Sequence, residues 1–387
     1  MKMRPGLGTL QVAMIALMVF NLMLPKAGIY MGKVPLTIGY LIIPIALLIL
    51  FPFVCMQRRL VIDRRKLVIF FLLCSFFLFT VTSLTFSQTS IQNIFIWAAS
   101  SFIVPLSTLV LLSYLIRLNE NIFEKILIYS FYFVCLFGII QFILLNTVHL
   151  NIQIPYLTVT GADPGIIFDK DNNRGFIVKF MSSYSNGNIF GIAVLMWFPL
   201  VAFSLIGSRK SIWLYRLCVF LSFSRTAWFM MFIVETLLMI KRKKGIYLVI
   251  FFFIMFIILL IVFSYGFGDF VFNYQLGGRL DQITSLSFSD IFSFGNDFAL
   301  REMVYPGMLK TFGIFGLLLF VVVYLYPVIS TWSQVLTDRA WFARIGIISY
   351  IFAMFIDGAY ILMPIQFIYW LMVAALFHYS KKPELVK

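Results

Sequence analysis

The sequence predicts an all-α polytopic membrane protein, a single transmembrane domain of about twelve helices over residues 1–387. Hydrophobic residues make up 62% of the chain and charged residues only 12%, whereas a soluble domain is about half apolar and about a quarter charged. The apolar residues fall in runs of about 20, which as helices match a hydrocarbon core of about 30 Å. Short polar breaks separate these runs, and backbone in lipid satisfies its own hydrogen bonds as helix.

The spans follow from the apolar runs in chain order. The first run, residues 10–25, comes after Lys2 and Arg4 and has no small-x-small cleavage site behind it, so we expect a retained first span. Prolines inside two later spans, Pro105 and Pro199, predict a kink in each. The predicted spans are 8–25, 35–55, 67–86, 92–116, 124–147, 188–207, 211–224, 226–240, 246–265, 306–328, 343–357 and 360–378.

The basic residues set the predicted orientation. With both termini placed in the cytoplasm, alternating spans put 21 of the 30 Lys and Arg residues on the cytoplasmic side and nine on the other. Cytoplasmic loops of membrane proteins carry such an excess. The net charge of +15 is thereby explained without a nucleic-acid partner.

One pair of spans is too short to cross twice. Basic residues at 209–210 and 241–244 both belong on the cytoplasmic side, and only 30 residues, 211–240, lie between them. Two crossings need about 60 Å of helix, and this segment gives about 45 Å. We therefore expect a shallow helical hairpin with Arg225 at its turn, below the water boundary, where a charge is costly and is a functional candidate. Glu235, in the same hairpin and within two turns of the basic residues at 241–244, is expected to be a snorkelling or a paired side chain.

Two predicted outer loops, about 148–187 and about 266–305, are much longer than the others. Loops beyond about 15 residues usually carry function or are disordered. Both contain many aromatic and aliphatic residues, among them Tyr156, Phe180 and Phe292. We therefore expect these loops to pack against the rest of the protein.

Four arginines are predicted on the outer side: Arg174 and Arg279 in the long loops, Arg225 at the hairpin turn, and Arg301 just before the next span. Arginine keeps its charge and offers a planar fork of donors to phosphate, so several arginines around one outward-facing cavity would bind a pyrophosphate. The alternative is that each arginine pairs with an acid nearby in the sequence. These pairs would be Arg174 with Asp171, Arg279 with Asp281, and Arg301 with Glu302 or Asp297, while Arg225 has no acid close by.

Four motifs around these arginines resemble one family. The motifs are Arg174-Gly175 followed by Ser185-Asn186-Gly187-Asn188-Ile189-Phe190-Gly191, then Ser224-Arg225-Thr226-Ala227, Gly278-Arg279-Leu280, and Gly313-Ile314-Phe315-Gly316-Leu317. In order and spacing they are similar to elements of the O-antigen polymerase and ligase superfamily. The motifs cover about 160–320, and the predicted topology is similar over the whole chain.

This resemblance implies a GT-C-like fold and a bacterial inner-membrane glycosyltransferase whose site faces the periplasm. The donor would be a glycan on undecaprenyl pyrophosphate, and the acceptor a second lipid-linked repeat unit for a polymerase or lipid A–core for a ligase. The family uses no nucleotide sugar, metal or cofactor; the expected partners are membrane lipid and a chain-length regulator protein. The ligase branch typically has a histidine in the second long loop, and residues 266–305 contain none, which favours the polymerase. A lipid-linked oligosaccharide flippase is the alternative from another class, because it also has about twelve spans and a cationic cavity.

The resemblance and the charges assign roles to the candidate residues. Arg225 and Arg279 would bind the pyrophosphate, since preorganised cations stabilise charge that develops in a transition state. The acceptor hydroxyl needs a base or a positioning group, for which Asp297, Glu302 and His149 are the candidates. Asp357, at the last outer turn, is either a helix cap or a contact to the glycan. The expected site is Arg225, Arg279 and Asp297 as catalytic residues, with Arg174, Arg301, Glu302 and Asn188 as substrate-binding residues and no metal ligands.

Overall fold

The computed structural model describes residues 7–31, 34–57, 63–162, 172–174, 177–243, 250, 257, 279–292, 294–296, 298, 302–334 and 336–380. Over these residues the chain is mostly helical. The helices are α1 (Leu7–Leu22), α2 (Ile38–Gln57), α3 (Arg64–Phe86), α4 (Ile91–Ala98), α5 (Val104–Leu118), α6 (Glu120–Thr147), α7 (Gly187–Pro199), α8 (Arg209–Leu221), α9 (Arg225–Lys241), α10 (Leu280–Thr284), α11 (Phe288–Ile291), α12 (Val304–Ile329), α13 (Asp338–Ala353) and α14 (Met363–Tyr379). The strands are β1 (Gly28–Met31), β2 (Val34–Thr37), β3 (Asn173–Arg174) and β4 (Ile177–Val178).

Several helices have the length and composition of membrane spans. Within the described residues, five helical segments are long and apolar enough to cross a membrane: Arg64–Phe86, Ile91–Leu118, Glu120–Thr147, Gly187–Leu205 and Val304–Ile329. Shorter apolar helices lie at Gly8–Leu22, Ile38–Pro52 and Met363–Tyr379. The chain therefore has the character of a multi-pass membrane protein, and the count of twelve spans stays a prediction. The predicted span 246–265 lies, apart from positions 250 and 257, outside the described residues.

Two antiparallel hairpins make the fold less purely helical than the sequence predicts. In the first, β1 pairs with β2, so the predicted span 35–55 begins as strand and becomes helix only at Ile38. Gly28 has a φ of 152°, and a Cβ there would lie 2.2 Å from the Leu36 carbonyl oxygen. Only glycine permits this close pairing of strands, and the apolar content of the segment does not reveal it.

The described part of the first long loop packs against the protein, as its apolar content predicts. The Gly28 N–H donates to the Tyr156 carbonyl oxygen over 2.9 Å, and the Gly161 N–H donates to the Gly28 carbonyl oxygen over 3.0 Å. Further along, Ser182 Oγ donates to the Val134 carbonyl oxygen over 2.8 Å. The loop is thereby fastened both to the first hairpin and to α6.

Wide helical turns lie beside both of the prolines that predict kinks. Residues Ala99–Ile103 join α4 to α5 as a π-helical turn just before Pro105. Residues Leu200–Leu205 extend α7 as a second π-helical turn just after Pro199. Proline has no N–H to give to the carbonyl four residues back, so the regular hydrogen bonding is interrupted next to it.

Helix α12 is broken by a glycine that the sequence motif already contains. Gly313 has φ 64° and ψ −171°, a conformation that is essentially restricted to glycine. The predicted span 306–328 is therefore two helical stretches that meet at Gly313 rather than one straight helix. The stretch before the break, which starts at Val304, follows Glu302 directly and so lies beside the candidate site.

The centre of the molecule is formed by two helices that are buried on all sides. Almost every side chain of α7 and α14 is inaccessible to solvent, which marks both as internal helices. Helix α13 packs against both of them. Its Gly346 lies so close to α7 that a Cβ would be 1.8 Å from the Met196 carbonyl oxygen. These contacts fix the ends of α7 and α13, from which the candidate site is built.

Candidate functional site

The first turn of α7 lies directly against the turn between α8 and α9. Asn186 caps α7, its Oδ1 accepting a hydrogen bond of 2.8 Å from the Ile189 N–H. A Cβ on Gly187 would lie 2.6 Å from the Ser222 carbonyl oxygen, and one on Gly191 would lie 2.3 Å from the Ala227 Cβ. Both glycines of the asparagine-glycine motif are thus needed for close approach of the two turns.

Arg225 begins α9 at this junction. Ser224 caps the helix, its Oγ accepting a hydrogen bond of 3.3 Å from the Ala227 N–H, and the preceding Phe223 has a left-handed φ of 45°. Helices α8 and α9 have 13 and 17 residues, or about 20 Å and about 25 Å, so the hairpin is as short as the sequence predicts. Arg225 is half-buried, and its backbone lies between the two residues that touch Gly187 and Gly191.

Three of the predicted site residues are joined around Arg279 and the carboxylate of Asp357. Arg279 Nη2 donates to Asp357 Oδ2 over 2.9 Å, and Asn188 Nδ2 donates to the same oxygen over 3.2 Å. Arg279 Nε also lies 2.5 Å from Glu302 Oε2, an ion pair by distance without the alignment of a hydrogen bond. We call Asn188, Arg279, Glu302 and Asp357 the Arg279 cluster.

The cluster has a closed side and an open side. Arg279 and Asp357 are 8% and 6% exposed, whereas the Glu302 side chain is 53% exposed. Asp357, which is held in turn by Asn188, is therefore the buried partner of the guanidinium, and Glu302 is its exposed partner among the described residues. Breaking a buried pair is costly because it leaves a charge uncompensated, but an exposed carboxylate can exchange its partner for water at little cost.

The pKa of the Asp357 carboxyl is raised to about 6, chiefly because burial disfavours the charged form. The Arg279 charge, the hydrogen bond from Asn188 and a hydrogen bond from the Ala359 backbone act in the opposite direction, while the negative charge of Glu302 raises the pKa further. Asp357 is thus poised to exchange a proton near neutral pH, as a general base or acid requires.

Backbone contacts and a buried polar network hold the cluster in place. The Gly358 N–H donates to the Glu302 carbonyl oxygen over 3.0 Å, which ties the two acidic segments together. Beneath them, Tyr350 Oη donates to the Gly358 carbonyl oxygen over 2.9 Å, and Gln366 Nε2 donates to the Tyr360 carbonyl oxygen over 2.9 Å. The turn that carries Asp357 is therefore supported from α13 and from α14.

A buried lysine that is not among the predicted site residues lies at the N-terminal end of α7, near Asn188. Lys179 is 3% exposed, and its side chain packs within 3.1 Å of the position of a Cβ on Gly187. The backbone N–H of Lys179 donates to the Asn172 carbonyl oxygen over 2.8 Å. Lys179 and Arg225 thus both lie at the N-terminal end of α7, which is the positive end of its dipole.

The other candidate residues that the sequence predicts are Arg174, Asp297, Arg301 and His149. Arg174 lies in β3, with its backbone paired to Ile177, and Asp297 and Arg301 lie outside the described residues. His149 is exposed at the end of α6 and, among the described residues, makes no hydrogen bond or ion pair to the Arg279 cluster. The alternative of a local pair between Arg279 and Asp281 is not what forms, because the guanidinium turns toward Glu302 and Asp357.

Asp357 is more central to the site than its sequence context indicates. It is the only acidic residue between 339 and 379, in a largely apolar stretch. A lone carboxyl group in such a stretch indicates a functional site, and this is the signal in the sequence that points to Asp357. Among the described residues, no group of three His, Cys, Asp or Glu side chains is placed to hold a metal ion. The cluster can bind an anionic group at Arg279 and move a proton at Asp357.

Comparison with protein-family models, with curated proteins and with solved structures finds no match to this chain.

Proposed function

We propose that the chain is a membrane glycosyltransferase that polymerises undecaprenyl-pyrophosphate-linked oligosaccharide repeat units into O-antigen or a similar surface polysaccharide. Its GT-C-like transmembrane domain lies in a bacterial inner membrane, with both termini in the cytoplasm and the site facing the periplasm. The observation that carries the proposal is the Arg279 cluster, in which a buried arginine joins a buried carboxyl group to an exposed one. The supporting observation is that Arg225 and Lys179 lie at the same end of α7.

The donor pyrophosphate is held by Arg279 and Arg225 in this proposal. Its oxygens replace the Glu302 carboxylate on the open side of the Arg279 guanidinium, because the two anions compete for the same donors. As the bond from the anomeric carbon to the phosphate oxygen breaks, undecaprenyl pyrophosphate leaves with the bonding electrons. The arginines stabilise the charge that develops on it.

Asp357 is the general base in this scheme. The acceptor hydroxyl oxygen forms the new bond to the anomeric carbon, and its proton passes to the Asp357 carboxylate. We assign this role to Asp357 because its pKa is about 6 and because the guanidinium that would hold the leaving group also contacts its carboxylate. Asn188 keeps the carboxylate oriented.

The test uses the purified protein in lipid nanodiscs with a defined undecaprenyl-pyrophosphate repeat unit. We expect a ladder of longer glycans and the release of undecaprenyl pyrophosphate. Arg279→Ala is expected to lower the rate by about 10²–10³-fold, the usual cost of one preorganised donor to developing charge. Arg209→Ala, an exposed arginine at the far end of α8, is the matched control and should leave the ladder unchanged.

The products of the same assay separate the alternatives. Transfer of the glycan to lipid A–core without a ladder would identify a ligase. Movement of the lipid-linked unit between leaflets without a new glycosidic bond would identify a flippase. A full ladder from the Arg279→Ala variant would remove the proposed mechanism.

A further inference from the structure

Helices α8 and α9 form a groove of about 490 Å³ on the face of the hairpin. Its apolar lining is Trp213, Leu217, Phe220, Met231 and Met239. Trp213 and Phe220 are 66% and 55% exposed, so the groove opens outward from the protein. In a chain that spans a membrane, an outward-facing apolar groove of this kind is suited to lipid.

An ion pair lies inside this apolar groove. Arg216 Nε donates to Glu235 Oε1 and Arg216 Nη2 donates to Glu235 Oε2, each over 2.7 Å. Glu235 is a paired side chain, as predicted, but its partner is Arg216 of α8, while Lys241 pairs with Asp338. Within the part of the chain that the structure describes, Arg216 Nη1 makes no hydrogen bond, and the Arg216 side chain is 32% exposed to the groove.

The guanidinium of Arg216 is directed toward the basic end of the hairpin. It lies 5.3 Å from the centre of the Trp213 ring, one helical turn nearer to the start of α8. Four exposed basic residues lie at that end: Arg209, Lys210, Arg242 and Lys243. A long cationic side chain in lipid takes this direction to reach the headgroup layer, and tryptophan is enriched at the same level.

We propose that the groove binds an acidic phospholipid. The phosphate accepts from Arg216 Nη1 at the level of Trp213, and one acyl chain lies along Leu217, Phe220 and Met231. Glu235 holds two of the guanidinium nitrogens, which fixes the third toward the ligand. The apolar lining selects a phosphate that arrives with a hydrocarbon chain, and the basic end of the hairpin selects a net negative headgroup.

The experiment is native mass spectrometry of the full chain released from nanodiscs of equal phosphatidylglycerol and phosphatidylcholine. We expect the wild type to retain phosphatidylglycerol about tenfold over phosphatidylcholine. The charge-neutral double variant Arg216→Gln with Glu235→Gln should lower this ratio several-fold, while the basic end of the hairpin keeps it above one. The variant Asp63→Asn with Arg65→Gln, which removes a different ion pair without changing net charge, should keep the wild-type ratio.

Two single variants separate a lipid site from a structural ion pair. Glu235→Gln releases two guanidinium nitrogens, so retention of phosphatidylglycerol should rise, whereas a merely structural pair would give no rise. Met231→Trp fills the groove while keeping the ion pair, and should lower retention of both lipids. The proposal is overturned by a double variant with the wild-type ratio, or by a Leu217→Cys variant that cross-links to a second copy of the chain in the nanodisc.

Discussion

At the scale of single residues, the most consequential side chain is Asp357, whose carboxyl group is buried and whose pKa is raised to about 6. A general base must be ionised, so kcat/KM of the proposed reaction should rise with pH and level off above about 6. Asp357→Asn should lower kcat and remove this acidic limb. A measured pH–rate profile that keeps the limb in Asp357→Asn would assign the base to another residue.

The same pKa predicts an opposite trend in stability. The folded protein binds a proton at Asp357 between about pH 4 and about pH 6, where an aspartate in the unfolded chain is already ionised. The contribution of this group to the free energy of unfolding is therefore present at low pH and is lost as pH rises through this window. Thermal unfolding at pH 4.0–6.5 should show the decline in wild type and a flatter profile in Asp357→Asn, whatever the reaction proves to be.

Glu302 gives a residue-scale prediction of opposite sign to that of Arg279. Its exposed carboxylate competes with the donor phosphate for the Arg279 guanidinium, so Glu302→Gln should lower KM for the lipid-linked donor. An exposed pair contributes up to about 1 kcal/mol, which corresponds to at most about fivefold in affinity. Steady-state kinetics with a defined repeat unit would measure it, and a higher KM would show instead that Glu302 contacts the substrate.

The sequence selects Asn188 and Arg279 because they lie in recognisable motifs, and Glu302 because acidic residues on the predicted outer side are few. It cannot assign their partners, because Asp357 is 78 residues from Arg279 and 169 residues from Asn188. Pairing over such separations depends on how α7, α10 and α13 are arranged in space. The Arg216–Glu235 pair is missed for the same reason, since it depends on the register of two antiparallel helices.

At the scale of elements, glycine contacts set how closely the central helices approach. Gly346→Ala should push α13 away from α7, because its methyl group would clash with the Met196 carbonyl oxygen. Such overpacking costs about 1–3 kcal/mol, and we expect a lower Tm together with lower activity, since α13 leads to Asp357. Gly8→Ala on α1, where no atom lies within 4 Å of the added Cβ, is the control and should leave Tm unchanged.

The apolar runs locate most helices to within a few residues, since a span of lipid-soluble side chains is a strong signal. They do not reveal the hairpin that precedes α2 or the break in α12. Both depend on the backbone conformation of one glycine, Gly28 or Gly313, and apolar composition carries no information about φ.

At the scale of the whole molecule, charge asymmetry and the short α8–α9 hairpin predict which surfaces face each side. Single cysteines at Ser285 and Arg242, both exposed, test this in intact cells. A membrane-impermeant thiol reagent should label position 285 from outside and position 242 only after the membrane is opened. Labelling of positions 210 and 242 from opposite sides would show that the hairpin does not return to the side on which it starts.

The backbone hydrogen bond from Gly358 to Glu302 has a kinetic consequence for the proposed enzyme. It ties the backbone of Glu302 to the turn that carries Asp357, so rotation of the exposed Glu302 side chain is enough to uncover the Arg279 guanidinium on that side. Rotation of an exposed side chain takes picoseconds to nanoseconds, whereas lids and domains move in microseconds to milliseconds. For the proposed enzyme, we therefore expect that uncovering the Arg279 guanidinium does not limit turnover.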